Sequence, residues 1–309
     1  MKIAILGAGA MGSWFGGHLA INGQNVQLLT TNRDHIDAVQ RDGLELRSGP
    51  SSTIVQLPIC MPFELKTPVD FVIALTKTFQ LQSALESIQS SLHADTAVLS
   101  LQNGLGNEEI IATSVGEENT WVGMTMLPVD RIAPGIVECK GMGTSWFGHA
   151  SMNRQYKAAT LETLFVDAGL DVRFDRQVKN RIWQKVAFNA GMNAVCALAH
   201  ATPGMLNTIA EAKQIVKDTA KEVVEVAAAM SITVDIEAVY QTVDYACENH
   251  GQHLPSMLQD LLAGKPTEID ALNGSIVRMA RELGISVPIN TLLETLVKTA
   301  ELGHSSSEG

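Results

Sequence analysis

Residues 1–34 read MKIAILGAGAMGSWFGGHLAINGQNVQLLTTNRD, and this stretch decides the fold of the first half of the chain. KIAIL and NVQLL are short apolar runs typical of buried strands, and AMGSWFGGHLAING between them is typical of a helix that ends at glycine. The first strand and the helix are joined by a G-x-G-x-x-G fingerprint, made of Gly7, Ala8, Gly9, Ala10, Met11 and Gly12. Glycine at these positions permits a tight turn, lets backbone approach a pyrophosphate and allows close helix–strand packing. The stretch therefore predicts a dinucleotide-binding site at a helix N-terminus, rather than a glycine-rich turn without a ligand.

The end of the second strand normally distinguishes NAD from NADP. An acidic residue there binds the adenine ribose, whereas an arginine nearby accommodates the 2′-phosphate of NADP. Here the strand ends at Thr31 and Asn32 with no carboxylate at its tip, and Arg33 and Asp34 follow. Thr31, Asn32 and Arg33 can all hydrogen-bond a phosphate, so NADP is favoured, with NAD not excluded. The alternative is that Arg33 and Asp34 are simply solvated residues at the start of the next helix.

Strand-like and helical stretches alternate up to about Asp175. Further strands are predicted within residues 69–77, 96–104 and 120–127, and GIVECKG and TSWFGHA (135–141 and 144–150) are interpreted as a hairpin. From residue 176 onward the pattern is helical, including 176–200, 211–230, 235–249, 268–284 and 289–302. We predict an α/β Rossmann domain over residues 1–174, with a parallel sheet between helices, and an all-α domain over 175–309.

Composition narrows the function classes. The 309-residue chain has a formal net charge of −11 and no basic run, which argues against a nucleic-acid surface. Its four cysteines form no C-x-x-C pair and are typical of reduced thiols in a cytoplasmic chain. The N-terminal apolar run meets Gly7 too early for a signal peptide or membrane span, and no H-x-x-x-H or carboxylate cluster indicates a metal. If this acidic protein binds an anion, the binding site must contain a positively charged side chain of its own.

A polar stripe on an apolar helix could supply that cation. In RIWQKVAFNAGMNAVCAL, Lys185, Asn189 and Asn193 fall four residues apart and so share one helix face. The rest of the helix is apolar almost all round, which predicts burial on most sides. Because burying an ammonium or an amide without partners is costly, the stripe needs something polar to face. It begins just past the predicted domain boundary, where a ligand crevice is expected, although polar groups of a neighbouring element or solvent are the alternative.

Several further strings resemble the ketopantoate reductase family (2-dehydropantoate 2-reductases). Their order and spacing over nearly the whole chain make the set specific: GAGAMG, ALTK at 74–77, QNG at 102–104, WQKVAFNAGMN at 183–193, PSMLQD at 255–260 and TEIDALNG at 267–274. The resemblance implies a Rossmann domain followed by a helical domain like that of 6-phosphogluconate dehydrogenase, and a possible homodimer. It implies an enzyme that uses NADPH to reduce a 2-keto acid. In that family the 2-keto acid is 2-dehydropantoate (ketopantoate), which is reduced to (R)-pantoate in pantothenate biosynthesis.

The resemblance also assigns roles to individual residues. It makes Lys185 the catalytic acid, and Lys77, Asn103 and Glu268 cofactor contacts. Substrate contacts are Asn103, Asn189, Asn193 and Ser256. From the residues alone, other interpretations stay open: Lys77 as a solvated strand end, Asn103 as a turn residue, Ser256 as a helix cap and Glu268 as a first-turn residue of a helix.

Three positions depart from the family pattern. Asn32 stands where many members carry arginine, with Arg33 one step later, which bears on the choice between NADP and NAD. His253 replaces an asparagine often found before the PSM string, and Pro203-Gly204 replaces an Asn-Gly pair. The last two changes bear on which 2-keto acid is bound.

Two other functions compete with the NADPH-dependent reductase. One is an NAD-dependent D-2-hydroxy acid dehydrogenase on the same scaffold. The other is a regulator that senses NAD(P) without catalysis. A regulator has no need of Lys185, Asn193 and Glu268 together, so the sequence favours an enzyme.

Overall fold

The computed structural model describes residues 1–151, 157–249, 251 and 253–305. The strands are β1 (Lys2–Leu6), β2 (Asn25–Leu29), β3 (Leu44–Ser48), β4 (Ser51–Val55), β5 (Ile59–Cys60), β6 (Phe71–Ala74), β7 (Ala97–Ser100), β8 (Thr120–Thr125), β9 (Val129–Ala133), β10 (Ile136–Cys139), β11 (Ser145–His149) and β12 (Val172–Phe174). The helices are α1 (Ala10–Ile21), α2 (Arg33–Asp42), α3 (Leu81–Ser87), α4 (Asn107–Val115), α5 (Ala158–Asp167), α6 (Val178–Ala199), α7 (Pro203–Leu206), α8 (Ala210–Ala229), α9 (Ile236–Asn249), α10 (Ser256–Leu262), α11 (Asn273–Leu283) and α12 (Pro288–Ser305).

Eight strands form one sheet in the order β12-β11-β8-β7-β6-β1-β2-β5. Neighbouring strands are parallel except β8 and β11, which are antiparallel. Strand β1 lies between β2 and β6, so the chain leaves β1 toward one side and returns on the other. Such a reversal of strand order is where open α/β sheets bind ligands, outside the carboxyl ends of the strands. The predicted Rossmann architecture is confirmed.

Both faces of this sheet are covered. Along β1, Ile3 and Ile5 pack into a core with α1 and α5, while Ala4 and Leu6 pack into a second core with α3 and α4. Alternate residues of a strand point to opposite faces, so a strand covered on both sides is apolar throughout. The predicted covering of both faces by helices is therefore observed.

The prediction of a hairpin from residues 135–141 and 144–150 is wrong. Strand β10 instead pairs antiparallel with β9 and parallel with β3, in a separate four-stranded sheet of order β4-β3-β10-β9. Strand β11 belongs to the large sheet. The physical reason is the turn between β9 and β10, where Pro134 restricts the chain and Gly135 adopts a φ of 77°. This turn makes the preceding run VDRIA the partner of β10, and the small sheet packs on α1.

The chain is organised as two compact units. The first contains residues 1–102 and 107–179, and the second contains residues 103–106 and 180–309. The second unit has its own apolar core, formed mainly by helical residues, and within its described part every regular element is a helix. The helix predicted over 268–284 begins only at Asn273, because residues 268–272 form turns in which the N–H groups of Ala271 and Leu272 both donate to the carbonyl of Glu268.

Candidate dinucleotide and substrate sites

The fingerprint turn joins the end of β1 to the start of α1. Gly7 has a φ of 102°, and a Cβ there would lie 2.4 Å from the backbone nitrogen of Thr76. A Cβ at Gly12 would lie 2.2 Å from the Gly7 carbonyl oxygen, so both positions require glycine. At Gly9, in contrast, a Cβ would meet no atom of the described chain within 4 Å. The space over Gly9 is therefore open to a ligand, as close approach of a pyrophosphate requires.

Backbone groups form the anion-binding end of this turn. The N–H groups of Gly7 and Ala8 both donate to the carbonyl of Leu29, at 3.0 and 2.8 Å, which fixes the turn against the end of β2. The first-turn N–H groups of α1 have no acceptor within the helix and point toward its N-terminus. Backbone donors and the positive end of the helix dipole together suit a phosphate. These residues fit a dinucleotide.

The tip of β2 carries Thr31, Asn32 and Arg33, as the sequence indicates. Asn32 is the N-cap of α2, and its Oδ1 accepts from the backbone N–H of His35 at 2.8 Å. Thr31 is exposed, and Arg33, the first residue of α2, is exposed as well. A phosphate at this tip would meet a hydroxyl, an amide and a guanidinium, and no carboxylate stands before Asp34.

Lys77 follows β6 in a turn that lies against the fingerprint. It is half-buried. The neighbouring Thr76 is held by Gln102, whose Nε2 donates to the Thr76 carbonyl at 2.8 Å and to its Oγ1 at 3.0 Å. Gln102 is a functional neighbour that the sequence reasoning missed, although its place in the QNG string could have drawn attention to it. Through Thr76 it fixes the turn that carries Lys77.

The polar stripe lies on α6, in the second unit. Lys185 is half-buried, and burial lowers the pKa of its ammonium to about 8, an effect that the Glu268 carboxylate offsets only in part. Asn189 and Asn193 are buried, with 8% and 7% exposure. Within the described chain, neither asparagine side chain hydrogen-bonds to a protein group. Buried side-chain amides normally have hydrogen-bond partners. The amides of Asn189 and Asn193 can therefore hydrogen-bond to a ligand or to solvent.

Asn103 and Glu268 are distant in sequence and adjacent in the second unit. Asn103 Nδ2 donates to Glu268 Oε2 at 3.4 Å. The segment after Asn103 is fixed by Gly104, which has a φ of 81°, and by the Leu105 N–H, which donates to the Ala271 carbonyl at 2.9 Å. Because Glu268 also acts electrostatically on Lys185, the structure gathers an amide, a carboxylate and an ammonium in this unit.

A buried network fixes α6 against the helix that follows Glu268. Asn273 Nδ2 donates to the carbonyl of Ala190 at 3.0 Å and to Asn290 Oδ1 at 3.1 Å. Asn290 in turn donates to Glu222, at 2.8 Å. Sequence reasoning missed this network, since nothing local marks Asn273 as a partner of Ala190. It holds the backbone of the stripe helix next to Asn189.

Ser256 is exposed and is the first residue of α10. The residue at the N-cap position is Pro255, and no side chain caps this helix, so the interpretation of Ser256 as the cap is wrong. Its hydroxyl is therefore not committed to capping. Glu268, at 7% exposure, lies in the turns before α11 and is not a first-turn helical residue.

The sequence and fold of this chain are similar to those of known proteins. A sequence profile described as ketopantoate reductase PanE/ApbA matches residues 3–152, and a profile for the C-terminal part of the same family matches residues 177–301. The chain belongs to the ketopantoate reductase family. This family consists of oxidoreductases, so the chain is an enzyme of that type.

Individual relatives agree over almost the full length. A 2-dehydropantoate 2-reductase from Pyrococcus horikoshii is 34% identical, with 99% of this chain and 100% of that protein covered. The enzyme of the same name from Streptococcus pyogenes is 33% identical, with 97% and 98% covered. Among solved structures, D-mandelate dehydrogenase in a ternary complex with NADH and anilino(oxo)acetate superimposes with a TM-score of 0.94 at 33% identity, with 99% and 100% covered.

Two classes of feature are not found in the described part of the chain. No group of three or more histidine, cysteine, aspartate or glutamate residues there could hold a metal ion. Among the helices formed by the described residues, none combines the length and apolar character that a membrane span requires. All four cysteines are free thiols.

Proposed function

We propose that this enzyme uses NADPH to reduce a 2-keto acid, ketopantoate, to (R)-pantoate. The observation that carries the proposal is the α6 stripe, in which Lys185 shares a helix face with two buried asparagines that have no protein partner among the described residues. An anionic keto acid offers what this face lacks: a carboxylate for amide donors and a ketone oxygen for an ammonium. The names of the Pyrococcus and Streptococcus relatives favour ketopantoate.

In this proposal Lys185 is the general acid. Its ammonium donates a hydrogen bond to the ketone oxygen and then transfers a proton to it as charge develops there. A pKa of about 8 keeps Lys185 mostly protonated at neutral pH, yet makes it a stronger acid than an ordinary lysine. The ketone carbon would accept a hydride, which a nicotinamide cofactor would supply when bound. The neutral amine left on Lys185 regains its proton from solvent.

The remaining residues bind and orient. Gly7, Gly9 and Gly12 shape the pyrophosphate turn with the first-turn N–H groups of α1, and Lys77 contributes a cation beside it. Substrate amide and hydroxyl contacts are assigned to Asn103, Asn189, Asn193 and Ser256. Glu268 holds the Asn103 amide and stabilises the Lys185 ammonium, at the nicotinamide end of the reaction.

NADPH is preferred in this proposal because the tip of β2 offers Thr31, Asn32 and Arg33 without a carboxylate. The exposed Arg33 guanidinium can bind a 2′-phosphate, and the Asn32 side chain retains its amide donor while its oxygen caps α2.

One observation favours a second candidate, an NAD-dependent D-2-hydroxy acid dehydrogenase. The structural neighbour D-mandelate dehydrogenase was solved with NADH, and its fold agrees with this chain along nearly its whole length. His253 and Pro203, where the sequence departs from the family pattern, bear on the same choice of keto acid.

A matrix of steady-state assays separates the two candidates. NADPH and NADH oxidation would each be measured with ketopantoate, 2-ketoisovalerate and phenylglyoxylate. We expect the highest kcat/KM with NADPH and ketopantoate, because a site built for the substrate hydroxyl discriminates against an analogue that lacks it. A preference for NADH with 2-ketoisovalerate or phenylglyoxylate would contradict the proposal and establish the dehydrogenase. No turnover with any pair would contradict both.

We also propose a homodimer. Leu292 and Leu296 are exposed one turn apart on α12, at 56% and 43%, where an apolar strip suits association with a second copy. Light scattering after size-exclusion chromatography should give twice the 33.2 kDa chain mass. A monomer mass at micromolar concentration would contradict it.

A further inference from the structure

A buried histidine links the fingerprint turn to helix α2 within the first unit. His35 and Ser13 are both fully buried. The N–H of Gly135 donates to His35 Nδ1 at 3.0 Å, and His35 Nε2 lies 3.0 Å from Ser13 Oγ. Ser13 Oγ in turn donates to the carbonyl of Ala8 at 3.3 Å. The chain of contacts therefore ends on a backbone group of the G-x-G-x-x-G motif.

The donors and acceptors in this series of hydrogen bonds can be assigned from the chemistry of the groups. A backbone N–H can only donate, so Nδ1 of His35 must be the unprotonated acceptor of the imidazole. The single proton of the neutral ring is then on Nε2, which donates to Ser13 Oγ and leaves the serine hydroxyl proton for Ala8. Burial, and secondly the charge of Arg131, lower the pKa of His35 to about 4, so the ring is neutral at physiological pH.

The Ala8 carbonyl belongs to the peptide that joins Ala8 to Gly9 in the fingerprint turn. A planar peptide ties the orientation of this carbonyl to that of the Gly9 N–H, which donates to the Gly7 carbonyl at 2.8 Å. The Ser13 hydroxyl and the Gly7 carbonyl therefore hold this one peptide from its two sides. The Ala8 N–H is already held by Leu29 at 2.8 Å, so the serine hydroxyl supplies the contact on the other side of the residue. Gly9 is the position over which space is open for a pyrophosphate.

His35 also reaches the other end of the dinucleotide surface. Its backbone N–H donates to Asn32 Oδ1 at 2.8 Å, within the turn that carries Arg33. One residue therefore holds the β2–α2 turn with its backbone and the β1–α1 turn with its side chain. A dinucleotide that contacts both turns requires a fixed spacing between them.

We propose that His35 is a positioning residue of the dinucleotide site, which acts through Ser13 to hold the Ala8–Gly9 peptide at a fixed distance from the Asn32–Arg33 turn. The inference rests on the proposed function, since it takes a dinucleotide to bind at these turns. His35 does not touch the ligand. Its effect is on cofactor affinity and not on the chemical step.

Two substitutions separate the contributions of the two ring nitrogens of His35. In His35→Asn, the amide oxygen takes the place of Nδ1, which keeps the Gly135 contact and loses the donor to Ser13. In His35→Gln, the amide nitrogen takes the place of Nε2, which keeps the Ser13 contact and loses the Gly135 acceptor. Ser13→Ala removes the link to Ala8 directly. Ser91→Ala is the matched control. Ser91 is a buried serine of the same unit, and its hydroxyl donates to the carbonyl of Leu65 at 2.9 Å. Neither Ser91 nor Leu65 belongs to the fingerprint turn.

The readouts are the NADPH dissociation constant, steady-state kinetics and the melting temperature. We expect Ser13→Ala and His35→Asn each to weaken NADPH binding about threefold to tenfold, the effect of one lost neutral hydrogen bond, and to raise KM for NADPH. KM for the keto acid and kcat should stay within about twofold, since neither group touches the reacting atoms. His35→Gln should weaken binding less than His35→Asn. The double variant should bind no more weakly than the worse single variant, because both changes break one chain.

The control decides whether the effect is specific. Ser91→Ala should lower the melting temperature about as much as Ser13→Ala does and leave the NADPH dissociation constant unchanged. Wild-type affinity in Ser13→Ala and His35→Asn would overturn the inference, as would equal weakening by Ser91→Ala. A wild-type protein that binds no dinucleotide would instead overturn the proposed function.

Discussion

The two units present their candidate functional groups by different means. In the first unit the groups are mainly backbone atoms at strand ends, held by glycines and by buried polar contacts such as that of Ser13 with Ala8. In the second unit they are side chains on one face of α6, with Glu268 and Asn103 beside them. Binding at a site made of backbone atoms is weakened when a substitution adds side-chain atoms there. The function of a site made of side chains is lost when a substitution removes side-chain atoms. The two units should therefore respond oppositely to substitution.

The largest effect is expected from removing a side chain in the second unit. Lys185→Ala should lower kcat by about 10²–10⁴-fold, because general acid catalysis by one positioned group contributes that much. NADPH affinity and the melting temperature should change little. The comparison is made by steady-state kinetics and by NADPH titration of the same samples.

Lys179→Ala is the matched control for that variant. Lys179 lies on the same helix and pairs with Glu108 at 2.9 Å, outside the stripe. It should retain near wild-type kcat. Near wild-type turnover in a folded Lys185→Ala protein would mean that Lys185 is structural and that the second unit does not supply the acid.

An intermediate effect is expected at Arg33, where the first unit presents a side-chain charge to the cofactor. Arg33→Ala should raise KM for NADPH about tenfold or more and leave KM for NADH nearly unchanged, because a charge-assisted hydrogen bond contributes roughly 1.5–3 kcal/mol. Arg41→Ala, at the other end of α2 and paired with Asp42, is the control. Equal losses for both cofactors would remove Arg33 from the 2′-phosphate site.

Adding one methyl group tests the backbone site. Gly9→Ala should leave the melting temperature within a few degrees of wild type, since its Cβ would meet no described atom within 4 Å, and should weaken NADPH binding about tenfold, or ~1.4 kcal/mol. Gly12→Ala should instead destabilise the fold, because its Cβ would lie 2.2 Å from the Gly7 carbonyl oxygen. Unchanged NADPH affinity in Gly9→Ala would show that no ligand approaches this backbone.

The same contrast explains how much could be predicted from the sequence. The fingerprint turn was predictable because each glycine answers a local geometric need, visible within a few residues. The shared face of Lys185, Asn189 and Asn193 was predictable from helical periodicity alone. Local signals failed where a partner is distant: nothing near Asn103 indicates Glu268, and nothing near His35 indicates Gly135.

The errors have the same origin. The predicted hairpin is wrong because β10 pairs with β9, which precedes it across the short Pro134-Gly135 turn, and not with the strand-like run that follows it. The helix predicted from Glu268 begins five residues late, because turn hydrogen bonds to the Glu268 carbonyl precede it. In these turns the Glu268 carboxylate accepts a hydrogen bond from Asn103.

The central claim, that Lys185 donates a proton to the keto acid, is tested most directly by the pH dependence of catalysis in both directions. With a Lys185 pKa of about 8, kcat/KM for reduction should be level below pH 8 and fall tenfold per pH unit above it, as the acid is lost. Oxidation of the hydroxy acid, which needs the neutral amine, should rise toward pH 8 and then level off. Glu268→Gln keeps an acceptor for Asn103 but removes the charge that raises the Lys185 pKa, so both breaks should move to lower pH. Profiles with no break between pH 7 and about 9.5, or breaks that Glu268→Gln leaves in place, would contradict Lys185 as the proton donor.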